Sequence, residues 1–279
     1  MFMKTTLALL SVATALSAQA AIDIASPASN YSQDFDSLAN AGAGNAWTNN
    51  STLSGWSLFV QPAPGTAVTS YTADNAATNT GAFKSLGATG SSERALGGVA
   101  SGGSYFGSPA SGTIAGWIAV AFQNTSGTAF NSFTVHFDGE QWRNGGNTNA
   151  QSMVLEYGFG GSFTTVAQWT APGGSFDWAS PTNSSTASAV DGNDAANRVM
   201  GVGGSIIGNW STGDTLWLRW IERNDVGNDH GLAIDNFSFS VTAVPEPETY
   251  ALMLAGLGLV AGVARRRAAG LKASANTSL

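Results

Sequence analysis

Acidic residues near both ends of the chain's middle portion offer the clearest chemistry. Asp34 and Asp36 flank Phe35, and Asp235 precedes Asn236. Asp225 and Asp229 share a glycine-containing loop with Asn228. Calcium takes six to eight hard oxygens at about 2.3–2.6 Å, from carboxylates, amide carbonyls and backbone. These residues supply such oxygens if the first and last strands of a sandwich bring them together. No EF-hand spacing is present, and no cofactor is required. A structural Ca2+ held by Asp34, Asp36, Asp225, Asp229 and Asp235 is therefore one expectation. The other is that Asp34 and Asp229 cap turns while Asp235 accepts backbone N–H groups.

Catalytic patterns are missing. The chain has two histidines, His136 and His230, and no Gly-x-Ser-x-Gly elbow accompanies either. It has no HExxH, P-loop or dinucleotide fingerprint. Cysteine is absent, which removes disulfides, thiolate metal sites and a cysteine nucleophile. A glycosidase needs two carboxylates facing each other across a sugar. Asp138, Glu140, Glu156 and Glu222 are the choices, but Arg143 follows Glu140, and Arg219 and Arg223 flank Glu222, so ion pairs account for those glutamates. Catalytic residues are accordingly expected to be none. Trp142, Trp169, Trp178, Trp210 and Trp217 could stack on sugar rings, although strand periodicity puts most tryptophans in a core.

The elements that must position these residues are strands. Phe133, Val135 and Phe137 alternate with Thr134, His136 and Asp138, and Leu216, Leu218 and Trp220 alternate with Trp217, Arg219 and Ile221. Further strands are expected at 112–124, 152–159, 163–169 and 232–241. Turn residues separate them, as in Asn144-Gly145-Gly146, Pro172-Gly173-Gly174 and Asp191-Gly192-Asn193. Residues 41–112 are looser, either long loops or further short strands. The reading is all-β: an antiparallel jelly-roll-like sandwich over 21–243, with an immunoglobulin-like sandwich second. Between Ala21 and Val244 lie sixteen acidic and six basic side chains. A field of that sign repels nucleic acid and attracts cations.

Both ends read as addresses. Lys4, an apolar stretch at 5–16 and Ala18-Gln19-Ala20 make a secretory signal over 1–20, cut by signal peptidase between Ala20 and Ala21. At the other end Pro245-Glu246-Pro247 precedes an apolar run, and Arg265-Arg266-Arg267 follows it. Prolines keep the first part extended. A helix over 249–264 would be about 24 Å long, short of the ~30 Å hydrocarbon core, and arginine stems can snorkel to lengthen it. The arginines hold their end cytoplasmic, with residues 268–279 as a cytoplasmic extension.

This order of Pro-Glu-Pro, short apolar helix and arginine cluster over 244–267 resembles the PEP-CTERM sorting tail. The resemblance implies a substrate of exosortase, a membrane-embedded enzyme thought to recognise and cleave the tail. It implies export by a Gram-negative bacterium, a transient inner-membrane stage with one transmembrane helix, and a cell-surface or extracellular destination. Gly139-Glu140-Gln141-Trp142-Arg143 and the stretch from Asn224 to Asn236, ending Asp229-His230-Gly231-Leu232-Ala233-Ile234-Asp235-Asn236, resemble jelly-roll ectodomains that often precede this tail. The expected role is structural or adhesive, in a matrix rich in exopolysaccharide. The alternative is a secreted carbohydrate-binding or carbohydrate-active protein with the same address.

Overall fold

The computed structural model describes residues 21–243 and 247–275, with side chains at 21–242 and 252–266. Ala18, Ala20, Pro245, Glu246 and the Arg267 side chain lie outside the described residues. In chain order the strands are β1 (Ile22–Ile24), β2 (Asn30–Gln33), β3 (Gly42–Ala46), β4 (Trp56–Val60), β5 (Thr66–Ala67), β6 (Ser70–Asp74), β7 (Ala82–Leu86) and β8 (Ala95–Val99). The longer strands follow: β9 (Thr113–Asn124), β10 (Phe130–Asn144), β11 (Ser152–Phe159), the short β12 (Trp178–Ala179) and β13 (Ser188–Ala189), then β14 (Arg198–Trp210), β15 (Thr215–Asn224) and β16 (Gly231–Ala243). Helix α1 (Pro247–Ala275) comes last.

Two sheets result. The first runs β12-β11-β15-β9-β4-β5, with β1 also on β9. The second runs β13-β10-β16-β8-β7-β6-β3, with β14 also on β10 and β2 on β16. Most pairings are antiparallel; β1 with β9 and β6 with β7 are parallel. The chain folds as the expected jelly-roll-like β-sandwich. An early strand lies beside the last one, with Gln33 opposite Phe237 and Tyr31 opposite Phe239.

Strand alternation builds the core. Phe133, Val135 and Phe137 from β10 and Leu216, Leu218 and Trp220 from β15 enter the space between the sheets. Trp220 stacks on Trp56 at 5.7 Å and meets Phe137 and Phe237 edge-on. The opposite parity of β15 faces outward, where Trp217 and Ile221 join Phe59, Trp117 and Phe163 in a second apolar layer.

Two expectations change, and a choice between two readings is decided. Residues 163–169 are not a strand. Phe163–Thr165 is a 3-10 turn closed by a capping box, with Thr165 Oγ1 2.9 Å from the Ser162 N–H. Phe163 is thereby stacked on Phe59 at 4.0 Å, sealing the outer layer. The loose stretch 41–112 holds six short strands belonging to the sheets. The apolar helix is longer than 249–264 and continues through the arginines. No helix among the described residues is long and apolar enough to cross a membrane. The uncharged run is too short and rich in Gly and Ala, and the arginines interrupt it.

Candidate functional site

An acidic cluster forms on the outer face of the second sheet. The parity that buries Phe137 turns Asp138, Glu140 and Trp142 to the other face. On β16 a bulge does the aiming: Asp138 faces Asp235 and His136 faces Ser238, so Asn236 and Phe237 oppose Phe137 alone. Asn236 takes φ +48°, a left-handed conformation that asparagine tolerates better than most residues. This extra residue lets Phe237 return to the core while Asp235 stays beside Glu140. Segment 190–197 crosses above, and Gly192 fits because a Cβ there would fall 2.4 Å from the Trp142 ring.

Glu93, in the loop between β7 and β8, completes the cluster. Glu93, Glu140 and Asp235 each present an oxygen, all within 4.8 Å of one another. Glu140 is fully buried and Asp235 nearly so. Trp142 Nε1 donates to Glu140 Oε2 at 3.0 Å, and Asn193 Nδ2 donates to Glu93 Oε2 at 2.6 Å. Glu140 Oε1 and Asp235 Oδ1 are buried without a hydrogen-bond donor. The nearby cation, Arg198, is held by Asp138 at 2.5 Å and lies 3.5 Å from Glu140 Oε1. Burial, then the charges of Asp235 and Glu93, push the Glu140 carboxyl up to about 8. Burial, with Glu93 and Asp36 adding to it, pushes Asp235 up to about 7.

A second acidic group sits where β15 and β16 are joined. Glu222 points between the sheets, beside Gly98, whose missing Cβ leaves room for Oε1. Burial and the charges of Asp229 and Asp225 push it up to about 8. Asp229 Oδ1 accepts from the Asp225 N–H at 2.7 Å, and burial pushes Asp229 up to about 7. His230 is buried alongside: Nδ1 accepts the Gly145 N–H at 2.8 Å, and Nε2 lies 3.3 Å from the Asn149 carbonyl. A cavity of about 320 Å³ opens here, with Asn79, Ser101, Arg143, Asn224, Asn228 and Asp229 among its lining residues.

The five aspartates named from sequence are thus divided. Asp36 and Asp235 belong to the sheet-face cluster, where Asp36 Oδ1 accepts the Arg94 N–H at 2.8 Å. Asp34 Oδ1 accepts the Asp36 N–H in a turn. Asp225 and Asp229 belong to the loop group, four strand residues and about 13 Å along β16 from Asp235. Glu93 and Arg198 carried no sequence signal, because only the fold brings loop 87–94 and the start of β14 to β10.

The expected ion pairs are exchanged. Arg143 donates to the carbonyls of Ala76 and Ala77 rather than to Glu140, whose charged neighbour is Arg198. Arg219 pairs with Glu156 and lies 3.8 Å over the Trp169 ring, and Arg223 donates to the Gly112 carbonyl. In a strand, residues three apart face opposite sides, so Arg143 cannot meet Glu140 nor Arg219 meet Glu222. His136 is exposed on the polar side of β10, as its alternation implies. Trp142, Trp178, Trp210 and Trp217 are buried; of the five tryptophans considered for sugar stacking, only Trp169 is partly exposed, and Arg219 covers it.

Helix α1 follows the sandwich, and its apolar side chains are exposed, Leu252 and Leu259 at 74% and 72%. Arg265 and Arg266 are exposed on the same helix, and Pro247 is its first residue. No curated protein matches the chain significantly. Among solved structures, a family 35 carbohydrate binding module from Clostridium thermocellum is similar at 14% identity and TM-score 0.27, over 57% of this chain and 86% of that one. Residues 243–268 match the family model of the PEP-CTERM protein-sorting motif. This chain therefore carries a PEP-CTERM protein-sorting motif C-terminal to a β-sandwich.

Proposed function

We propose that this is a non-enzymatic exported protein whose sandwich serves as a structural or adhesive module at the cell surface or in an exopolysaccharide-rich matrix. The sorting motif at 243–268 carries the reading, since it implies exosortase processing, export and surface sorting. Signal peptidase removes residues 1–20, the tail holds the chain in the inner membrane, and exosortase then cuts near Pro245-Glu246-Pro247. The arginines keep residues 268–279 cytoplasmic. The buried and ion-paired states of Asp138, Glu140, Glu156 and Glu222 support a body without facing catalytic carboxylates.

The test is fractionation of the native host with and without its exosortase. Loss of the enzyme should leave the protein in the inner membrane. Unchanged release from the deletion strain would overturn the proposal.

One observation favours carbohydrate binding instead. The cavity beside His230 gathers amide, hydroxyl, guanidinium and carboxylate groups, a set that can hydrogen-bond sugar hydroxyls. Titrating the protein with its host's exopolysaccharide discriminates: saturable binding lost on Asn228→Ala would support it, and no binding would remove it.

A further inference from the structure

We propose that Glu93, Glu140 and Asp235 form a calcium site that clamps loop 87–94 and segment 190–197 onto strands β10 and β16. Three carboxylates from three separate parts of the chain converge, with their oxygens within 4.8 Å. Two of these residues are more than nine-tenths buried, and each has an oxygen with no hydrogen-bond donor, Glu140 Oε1 and Asp235 Oδ1. A buried acceptor left without a donor destabilises the folded chain, and Asp235 Oδ1 has none, while Glu140 Oε1 has only Arg198 at 3.5 Å. A cation in their midst removes that cost and the mutual repulsion together.

The rest of the neighbourhood agrees in charge. Asp36 and Asp138 lie in the same neighbourhood, and Arg198 is shared between Asp138 and, at 3.5 Å, Glu140 Oε1. Arg94, near Glu93 and Asp36, is the second guanidinium here, so two cations face five carboxyl groups. Asn193, which grips Glu93, lies in the segment the site would pin.

The chemistry selects the ion. The ligands are oxygens, without His or Cys, which suits a hard cation. Ligands at about 2.3–2.6 Å from one calcium lie at most roughly 5 Å apart, so oxygens within 4.8 Å of one another fit around it. Magnesium, at about 2.0–2.1 Å, demands a near-ideal octahedral shell and gives up its waters reluctantly, which makes it the poorer fit to three carboxylates from separate parts of the chain. Glu93 is only partly buried, which leaves a way in.

Terbium is a luminescent stand-in for calcium, and Trp142, bonded to Glu140, is placed to sensitise it. The full chain, purified in mild detergent, is stripped with EDTA, exchanged into chelator-free buffer and titrated with terbium under tryptophan excitation. One saturable site is expected, emptied by calcium and at least tenfold less readily by magnesium. Glu93→Gln, at a partly exposed position, should weaken calcium competition tenfold or more, and Asp235→Asn should do so more strongly. The double variant Asp225→Asn with Asp229→Asn should bind as the unaltered chain does. Absence of a saturable site, calcium affinity unchanged in Glu93→Gln, equal competition by magnesium, or loss of binding only in the loop double variant would each overturn the assignment. Should Asp235→Asn fail to fold, Glu93→Gln still decides.

Discussion

The sandwich and helix α1 treat their apolar side chains in opposite ways. Trp56, Trp220 and Phe237 are fully buried against one another between the sheets. Leu252, Leu254, Leu257, Leu259 and Val260 on α1 are each more than half exposed. Apolar surface left open over that length does not stabilise the fold that precedes it. The sandwich buries its large apolar side chains within itself, whereas the helix leaves its own open.

The largest expected effect breaks the first half of this contrast. Trp220→Ala should cost about 3–5 kcal/mol, as large-to-small changes in a packed core do, seen as a lower midpoint in chemical denaturation. Leu259→Ala should change the same midpoint by no more than about 0.5 kcal/mol, in the range of surface substitutions. A comparable loss in both would mean that the helix packs on the sandwich.

The next prediction sharpens what the core tolerates. Glu222 titrates near 8 when folded, against about 4.5 for an ordinary glutamate. Its folded pKa is raised, so the protein is least penalised below pH 4.5 and loses stability as pH rises through 8. Glu222→Gln, which mimics the neutral form, should therefore stabilise by on the order of 4 kcal/mol at pH 8.5 and scarcely at all at pH 4. A denaturation series across that range checks it, and equal stability at both pH values would contradict it.

The smallest effect concerns His230, which burial holds below its usual value of 6.5. Its neutral ring accepts the Gly145 N–H, so its contribution is present above pH 6.5 and fades as pH falls. Wild type should exceed His230→Asn by roughly 1–2 kcal/mol at pH 7, with the gap narrowing toward pH 5. A gap that widens on acidification would rule out the neutral acceptor role.

Legibility in the sequence followed local pattern. Strands β10 and β15 were readable because apolar residues alternate without interruption, and β11 was readable at its full extent. Strand β14 was not, since Gly201, Gly203 and Gly204 take positive φ and erase the alternation. The two segments resembling jelly-roll ectodomains prove to be neighbours, with Gln141 opposite Leu232 and Arg143 opposite Gly231. Their meeting explains why Glu140 and Asp235 share a site, but Glu93 comes from a loop with no local mark. Charge partners were misread where proximity along a strand was taken for proximity in space. The sorting tail was legible in full, because its information is linear: residue types in order, needing no fold to bring them together.

The central claim is that the sandwich travels while the tail is removed. Intact-mass spectrometry of the protein released by its native host tests this most directly. The account predicts a chain beginning at Ala21 and ending near Pro245-Glu246-Pro247, without the apolar run or arginines. A released chain still carrying residues 250–267 would contradict it.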